Sequence, residues 1–401
     1  MLKKSPLISL ADIKALSEYV INRERTERGF KQSIISMYEY NAKWSNLFFR
    51  SAIHVVSFFL RPSSKRKKYM FWGTKFEELI LSLPAEEVCI VGGPKQLIFC
   101  LKNRRAFLPE MSFWHFLVDE LKGGSHPANM QRLSSSISAL SQRLRRIADE
   151  NALLIIDNDS LPAQRAVIQA FRMSGVGKSI CIQDGVFQKK SPSHIYHGWF
   201  ADRFFVIDNN QKVLLVEKGM SAEKIKVMGF HSTPYQPKRV LSPPKHRRIC
   251  LIGQPWWKYG EERGERYLSI LQEITNILQK SGYAVSFKPH PWERGSNYLK
   301  NIPDVIDISM AQALEQYDVF ISLTSTALLE AVASGRVAVQ VVDSAFDADR
   351  FCDFSEVASI SSGSYELSDE LINCVKREPL PKRKEVKPLV KRFQEALSGK
   401  N

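Results

Sequence analysis

No two of the six cysteines stand in a CxxC spacing: Cys89, Cys100, Cys181, Cys250, Cys352 and Cys374 are scattered, several inside apolar runs. That excludes a zinc ribbon and a disulfide framework, and points to reduced core residues of a cytosolic protein. The eight histidines lack metal-ligand spacing as well. His194 and His197 stand three apart, but no acidic or cysteine partner accompanies them. There is no internal repeat of solenoid length. Gly92-Gly93-Pro94-Lys95 lacks the Walker spacing, and Gly175-Val176-Gly177-Lys178 precedes a strand where a phosphate loop should follow one. With no aromatic-basic ribonucleoprotein pattern and no zinc finger, nucleic-acid binding is disfavoured. Met1 to Leu10 has charge but no long apolar core, so a secretory signal is not expected. Acidic residues are outnumbered, 42 against 57 basic ones, and the net charge of +15 suggests an anionic partner such as an acidic membrane surface, small molecule or glycan.

What is present reads as a two-domain α/β chain. A length of 401 residues exceeds one ordinary core. Residues 1–65 form a helical extension, with Ser9 as the cap of its first helix. Within it, Trp44 to Leu60 is apolar but interrupted by Asn46, Arg50 and His54, and is slightly short for a membrane span. The basic run Lys65-Arg66-Lys67-Lys68 follows. The pair fits a helix lying peripherally on the anionic inner membrane, and equally a core-packing helix beside a solvated charge run. From Tyr69 onward short apolar runs alternate with helical stretches: Tyr69–Gly73, Glu87–Val91, Ala152–Asp157 and Ser179–Ile182, with helices over Met130–Glu150 and Gln164–Ser174. Such alternation implies right-handed crossovers and a parallel sheet. A proline-rich linker spans His231 to His246, and the alternation then restarts at Arg248. We expect Rossmann-like domains over 66–235 and 236–385, a cleft between them, and a C-terminal helix in 386–401.

Three stretches carry candidate chemistry. Val285 to Lys288 reads as a buried strand ending in Lys288-Pro289-His290-Pro291-Trp292. Each proline biases the residue before it toward an extended conformation, so the strand stops and holds the His290 imidazole at its carboxyl edge, where open α/β sheets bind ligands. Gln183-Asp184-Gly185 ends a strand in the first domain; glycine permits a sharp turn, and Asp184 there can accept a proton from a hydroxyl. Ser322 ends a later strand, and Leu323-Thr324-Ser325-Thr326 leads into a helix near Ala327, offering hydroxyls and backbone amides to a phosphate, or simply capping the helix. A supporting turn, Gly253-Gln254-Pro255-Trp256-Trp257, opens the second domain: glycine there lets the backbone approach a ligand, and the tryptophans are placed to cover a base or sugar.

Together these stretches resemble the bacterial sialyltransferase and polysialyltransferase group. The shared marks are an acidic-acidic-glycine turn (here Gln183-Asp184-Gly185), a His-Pro after a strand (His290-Pro291) and a Ser-Ser/Thr at a helix start (Ser325-Thr326). Gly253-Gln254-Pro255 also looks like the opening turn of the second domain in capsule-type members. The resemblance spans Ile180 to Val342 and implies a GT-B fold, a CMP-activated nonulosonic acid as substrate, inversion at the anomeric carbon, and neither metal nor cofactor. It implies that Asp184 is the general base beside Gly185 on the acceptor side, that His290 meets the departing CMP phosphate, and that Ser325 and Thr326 hold it. Lys288 adds a cation beside that phosphate. Gln183 departs from the pattern and leaves one carboxylate. The implied activity is transfer of a sialic acid-like sugar to a lipopolysaccharide, lipooligosaccharide or capsule glycan on the cytoplasmic side. The rivals are a CDP-glycerol or UDP-sugar transferase of the same fold, and a non-catalytic scaffold in capsule assembly.

Overall fold

Seven apolar segments of the first half become strands: β1 (Lys67–Trp72), β2 (Val88–Gly92), β3 (Ala106–Pro109), β4 (Ala148–Ile156), β5 (Lys178–Ile182), β6 (Arg203–Val206) and β7 (Ile225–Val227). They pair in parallel throughout, in the order β3-β2-β1-β4-β5-β6-β7. Five more follow: β8 (Arg248–Ile252), β9 (Ala284–Lys288), β10 (Val319–Ser322), β11 (Val337–Val342) and β12 (Ala358–Ser361). Their sheet is also parallel, ordered β12-β11-β10-β8-β9. These are two Rossmann-like sheets, as expected for the GT-B fold. The computed structural model describes residues 9–25, 29–43, 65–110, 112–123, 127–186, 200–302, 304–346, 357–379 and 387–399. They divide into two units, the second running mainly from Thr233 through residue 379.

Topology decides where function can sit. In each sheet the strand order reverses once, between β1 and β4 in the first and between β8 and β10 in the second. Counted within its own half, the second order is 2-1-3-4-5. Ligands of open α/β sheets bind outside the carboxyl ends of the strands at such a reversal, because the flanking crossovers run to opposite faces and leave a crevice.

The N-terminal helices belong to the first unit. Ser9 caps Leu10–Glu24 with a reciprocal box, its Oγ accepting from Asp12 N at 3.1 Å while the Asp12 carboxylate accepts from Ser9 N at 3.2 Å. The next helix, Phe30–Lys43, buries Ile34, Ile35 and Tyr38, and the Tyr38 hydroxyl accepts from Ala163 N at 3.0 Å. Trp44 to Leu60 lies outside the described residues. Of the basic run after it, Lys67 is no surface charge. It opens β1, is 2% exposed, and donates to the Glu86 carbonyl at 2.6 Å. Lys68 pairs with Glu87 at 2.9 Å, and Lys65 lies near Glu86 and Glu87. The run is therefore partly neutralised by its own fold. Among the described residues no helix is long and apolar enough to cross a membrane.

Two boundaries differ from expectation. The helix expected to reach Glu150 ends at Ile147, and β4 begins at Ala148 with a register shift against β1. The polar Asp149-Glu150-Asn151 hides that strand start, although the Glu150 carbonyl already accepts from Gly177 N at 2.8 Å. The last helix, Leu389–Ser398, is not a separate tail. Its Leu389, Phe393 and Ala396 enter the core beside Phe71 and Phe205, and Arg392 donates to the carbonyls of Met228, Phe230 and Ser232. The five described cysteines are buried and unbridged, and burial pushes the thiols of Cys100 and Cys250 up to about 12. Replacing Phe393, fully buried, by alanine should cost about 3–5 kcal/mol in denaturant unfolding. A loss below about 1 kcal/mol would remove this helix from the core.

Candidate functional site

At the carboxyl edge of the second sheet the expected residues converge. Gly253 N donates to the Lys288 carbonyl at 2.8 Å, prolonging the β8–β9 ladder past both strand ends. Thr324 donates its hydroxyl to Gln254 Oε1 at 2.6 Å, which ties the turn after β10 to the turn after β8 across the reversal. Ser322 is buried and donates to the Ile252 carbonyl at 2.9 Å, so its hydroxyl braces these strand ends. Beyond Lys288 and Pro289, His290 is half-buried, and Nδ1 of its ring accepts from Trp292 N at 3.1 Å. That bond leaves the proton of the neutral ring on Nε2, which makes Nε2 the donor. Pro291 and Trp292 stand exposed in the following turn.

One residue organises this edge without having been singled out by its sequence. Glu293 is 2% exposed. Its Oε2 accepts from His290 N at 2.6 Å, and Oε1 accepts from the Tyr298 hydroxyl. The Tyr267 hydroxyl joins them, itself accepting from Gln254 N at 2.9 Å. Burial pushes the Glu293 carboxyl up to about 7, against the lowering effect of Tyr298 and the His290 amide. Gly253 is required for the same reason: a Cβ there would stand 2.2 Å from Glu293 Oε2 and 2.8 Å from His290 N. The glycine makes room for a buried acid, a different need from the ligand approach inferred from sequence.

One expectation is corrected. The tryptophans after Pro255 do not cover a ligand. Trp256 is in the core against Phe346, centroids 4.7 Å apart, and Trp257 stacks on Tyr298 at 5.4 Å and lies over Gly264. Apolar burial outweighs exposure of such large rings. The helix after Thr326 is short, Ala327–Ala333, so its dipole is modest. Ser325 is 8% exposed and its Oγ accepts from Ala327 N at 3.3 Å, while Thr326 makes no side-chain cap.

The first sheet has its own edge. Asp184 follows β5 and pairs with Lys75 at 2.9 Å, both side chains nearly half exposed at 43% and 46%. Gln183 is buried as a pin: its amide donates to Gln211 Oε1 at 2.5 Å and its oxygen accepts from Ile207 N at 3.0 Å. In this position the side chain acts as both donor and acceptor, which an ionised carboxylate does not. Gly185 has no left-handed φ, and a Cβ there would meet nothing within 4 Å, so the turn does not demand glycine.

Where the strand order reverses, between β1 and β4, lies a cavity of about 510 Å³. Trp72, Lys75, Gly92, Trp114, Asp157 and Gln164 are among its walls. The Gly92-Gly93-Pro94-Lys95 stretch thus has a place at this edge, though no phosphate-loop spacing. Asp157 Oδ1 is shut off from solvent and has no hydrogen-bond partner among the described residues. Burial raises its carboxyl to about 6, the Asp184 charge adds to this, and Lys75 and Gln164 oppose it. His231, from the expected linker, completes the cluster: burial lowers its pKa, and the charge of Asp184 acts the other way. A D-x-D triplet at a strand end, Asp157-Asn158-Asp159, marks this edge in the sequence and is missing from the candidate stretches above. Its acids diverge, since Asp159 Oδ2 accepts from Phe200 N and Ala201 N at 3.0 Å.

Glu293 makes a pH prediction. A buried acid raised to about 7 binds its proton more tightly in the folded chain, so stability falls as pH rises from its unfolded value toward 7. Glu293→Gln removes that loss. The variant should gain on the parent between pH 5 and 7.5, by of the order of 2–3 kcal/mol in denaturant melts. Parallel stability curves for the two would show that Glu293 is not buried as described.

No family model and no curated protein matches the chain. Solved structures do. HepE (Alr3699) of Anabaena, solved with UDP and glucose, is 12% identical and aligns over 83% of this chain and 100% of its own, with a TM-score of 0.52. The UDP-GlcNAc 2-epimerase of Neisseria meningitidis, solved with UDP-GlcNAc, is 13% identical over 83% and 99% of the two chains, with a TM-score of 0.52. That of Methanocaldococcus jannaschii is 13% identical over 84% and 100%, again with a TM-score of 0.52. At such identities the likeness is one of fold: α/β, with two Rossmann-like parallel sheets of GT-B type.

Proposed function

We propose that this chain is an enzyme of nucleotide-activated sugars, and that it transfers the sugar from a UDP-type donor to a glycan. The observation that carries the reading is the knot at the second sheet's reversal, where Gly253, Gln254, Thr324 and His290 are fixed at neighbouring strand ends by their own hydrogen bonds. Preorganised donors and hydroxyls at such an edge suit a nucleotide's phosphates. Structures of like fold carry UDP, UDP with glucose, and UDP-GlcNAc. Transfer is favoured over epimerisation because the first unit has a cavity of its own, about 510 Å³, with room for a second substrate.

In this reading the nucleotide phosphate faces His290 Nε2–H, with Lys288 and the hydroxyls of Thr324, Ser325 and Thr326 beside it. As the bond between sugar and phosphate breaks, negative charge grows on the phosphate oxygen, and a fixed N–H and a cation stabilise that charge. Pro291 limits the turn that carries His290. The sequence resemblance puts the acceptor side at Asp184 and Gly185 of the first sheet's edge, where Asp184 pairs with Lys75.

A second reading has an observation of its own. Gln183-Asp184-Gly185, His290-Pro291 and Ser325-Thr326 occur in the order shared by bacterial sialyltransferases, which favours a CMP-activated nonulosonic acid. The acceptor in either case is a surface glycan such as lipopolysaccharide or capsule. Nucleotide protection separates the two. A ligand at a hundred times its Kd stabilises the folded chain by about 2.7 kcal/mol, so UDP should raise the melting temperature while CMP leaves it unchanged; the reverse result favours the nonulosonic donor. His290→Ala should slow nucleotide release from the donor by about 10²–10⁴-fold. Conversion of UDP-GlcNAc to its 2-epimer without an acceptor would replace transfer by epimerisation, and no protection by any nucleotide would end both readings.

A further inference from the structure

The walls of the first unit's cavity select a ligand class. Trp72 and Trp114 line it with rings 6.1 Å apart and tilted by 31°. Asp157 and Gln164 are joined by a side-chain hydrogen bond, which leaves Asp157 Oδ1 and Gln164 Oε1 as buried acceptors with no donor among the described residues. A buried acceptor left unmatched costs about 1–3 kcal/mol, so the pair calls for a ligand rich in O–H donors. Aromatic faces call for a ligand with a C–H face. A pyranose ring carries both. The volume of about 510 Å³ lies within the ~300–1,000 Å³ of small-molecule sites, enough for one or two rings.

Charge narrows the class further. The cations on the wall are Lys75 and Lys95. Lys75 is held by Asp184 at 2.9 Å, and an anionic ligand reaching Asp157 would meet a carboxylate with a second one, Asp184, behind it. A neutral sugar meets no such repulsion.

We infer that this cavity binds the non-reducing end of a neutral glycan, and that the Asp157 carboxylate on its wall receives the proton of the hydroxyl that becomes glycosylated. The binding claim stands by itself; the proton transfer rests on the transferase reading above. In the step, the acceptor O–H bond breaks and its proton passes to Asp157. The oxygen's electron pair forms the new bond to the anomeric carbon, and the bond from that carbon to the nucleotide phosphate breaks with its pair going to the phosphate. Asp184 then acts as a positioning residue, holding Lys75 beside the base. Position supports this division. Asp157 belongs to the cavity wall, whereas Asp184 is nearly half exposed and spent on an ion pair. A carboxyl raised to about 6 is also a stronger base than an ordinary aspartate while remaining ionised at neutral pH.

Two experiments test the two claims. Tryptophan fluorescence and saturation-transfer NMR, with the full chain and no nucleotide, would follow methyl glucoside, methyl galactoside, methyl N-acetylglucosaminide and lactose at millimolar concentrations. At least one should bind, and Trp114→Ala should weaken it by about tenfold or more, as loss of an aromatic contact of ~0.5–1.5 kcal/mol together with its buried area requires. If none binds, or if Trp114→Ala binds as the parent does while melting normally, the cavity is not a sugar site. For the second claim, Asp157→Asn should keep glycoside binding, melt at or above the parent at pH 8, and lose about 10²–10⁴-fold of transfer. The parent's transfer rate should also fall as pH drops through about 6, and the residual rate of Asp157→Asn should not. Transfer by Asp157→Asn within tenfold of the parent, or a greater loss in Asp184→Asn, overturns the assignment of the base. Sugar binding with no nucleotide-sugar turnover would leave the cavity standing and remove the transferase reading alone.

Discussion

The second sheet's edge depends on one buried carboxyl. Glu293 collects the His290 amide, the Tyr298 hydroxyl and the Tyr267 hydroxyl, and through Tyr267 it reaches the Gln254 amide. Without it those donors would face one another under the turn. The constraint extends to the neighbouring strand, because Gly253 is the only residue type that leaves Glu293 its space. A turn of prolines and exposed aromatics would otherwise be loose. Here its first residue is anchored from beneath, and the Trp292 amide fixes the imidazole from the side. Rigid placement of a donor is worth more than the donor itself when charge appears only in the transition state.

The first sheet repeats the motif with a different outcome. Both reversals hold an acid whose pKa burial has raised, to about 7 for Glu293 and about 6 for Asp157. Desolvation is the leading cause in both. What differs is the hydrogen bonding. Each oxygen of Glu293 has its donor, whereas Asp157 Oδ1 has none among the described residues. A satisfied buried acid is structural in its effect, and an unsatisfied one on a cavity wall is poised for a partner from outside.

Much of this was legible in the sequence, and the gaps have physical reasons. The strands that form the sheet centres are continuous apolar runs, as strands covered on both faces must be. The three that went unread, β3, β7 and β12, are all edge strands of three or four residues, paired on one side only and too short to show a pattern. His290, Gln254 and Thr324 could be placed because prolines and glycines punctuate strand ends. Gly253 was singled out for ligand approach, and the structure adds a need of its own, set by a side chain forty residues away. Glu293 lies in Trp292-Glu293-Arg294, where nothing distinguishes a buried acid from a surface one. Asp157 was passed over although it stands in a D-x-D triplet at a strand end, and only the β1–β4 reversal shows which of the two acids faces a cavity. Trp256 and Trp257 misled because aromatic residues near a ligand edge serve the core equally well.

The excess of positive charge, +15 over the chain, is a weaker guide to partners than it first looks. Several arginines are inside, stapling loop carbonyls. Arg247, 2% exposed, donates to the Val375 and Arg377 carbonyls, and Arg336, 4% exposed, to those of Leu314 and Arg239. Arg165, 2% exposed, reaches the Ala15 and Asp159 carbonyls, and Arg145 those of Met173 and Ser174. A guanidinium is suited to this because its five donors can close several orphan carbonyls at once. Charge used in that way strengthens the joints between helices and loops, and these guanidinium groups are not themselves free to contact a partner at the surface. The case for an anionic ligand therefore rests on Lys288 and His290 at one sheet edge, and the case for a neutral one rests on Lys75 being already paired at the other.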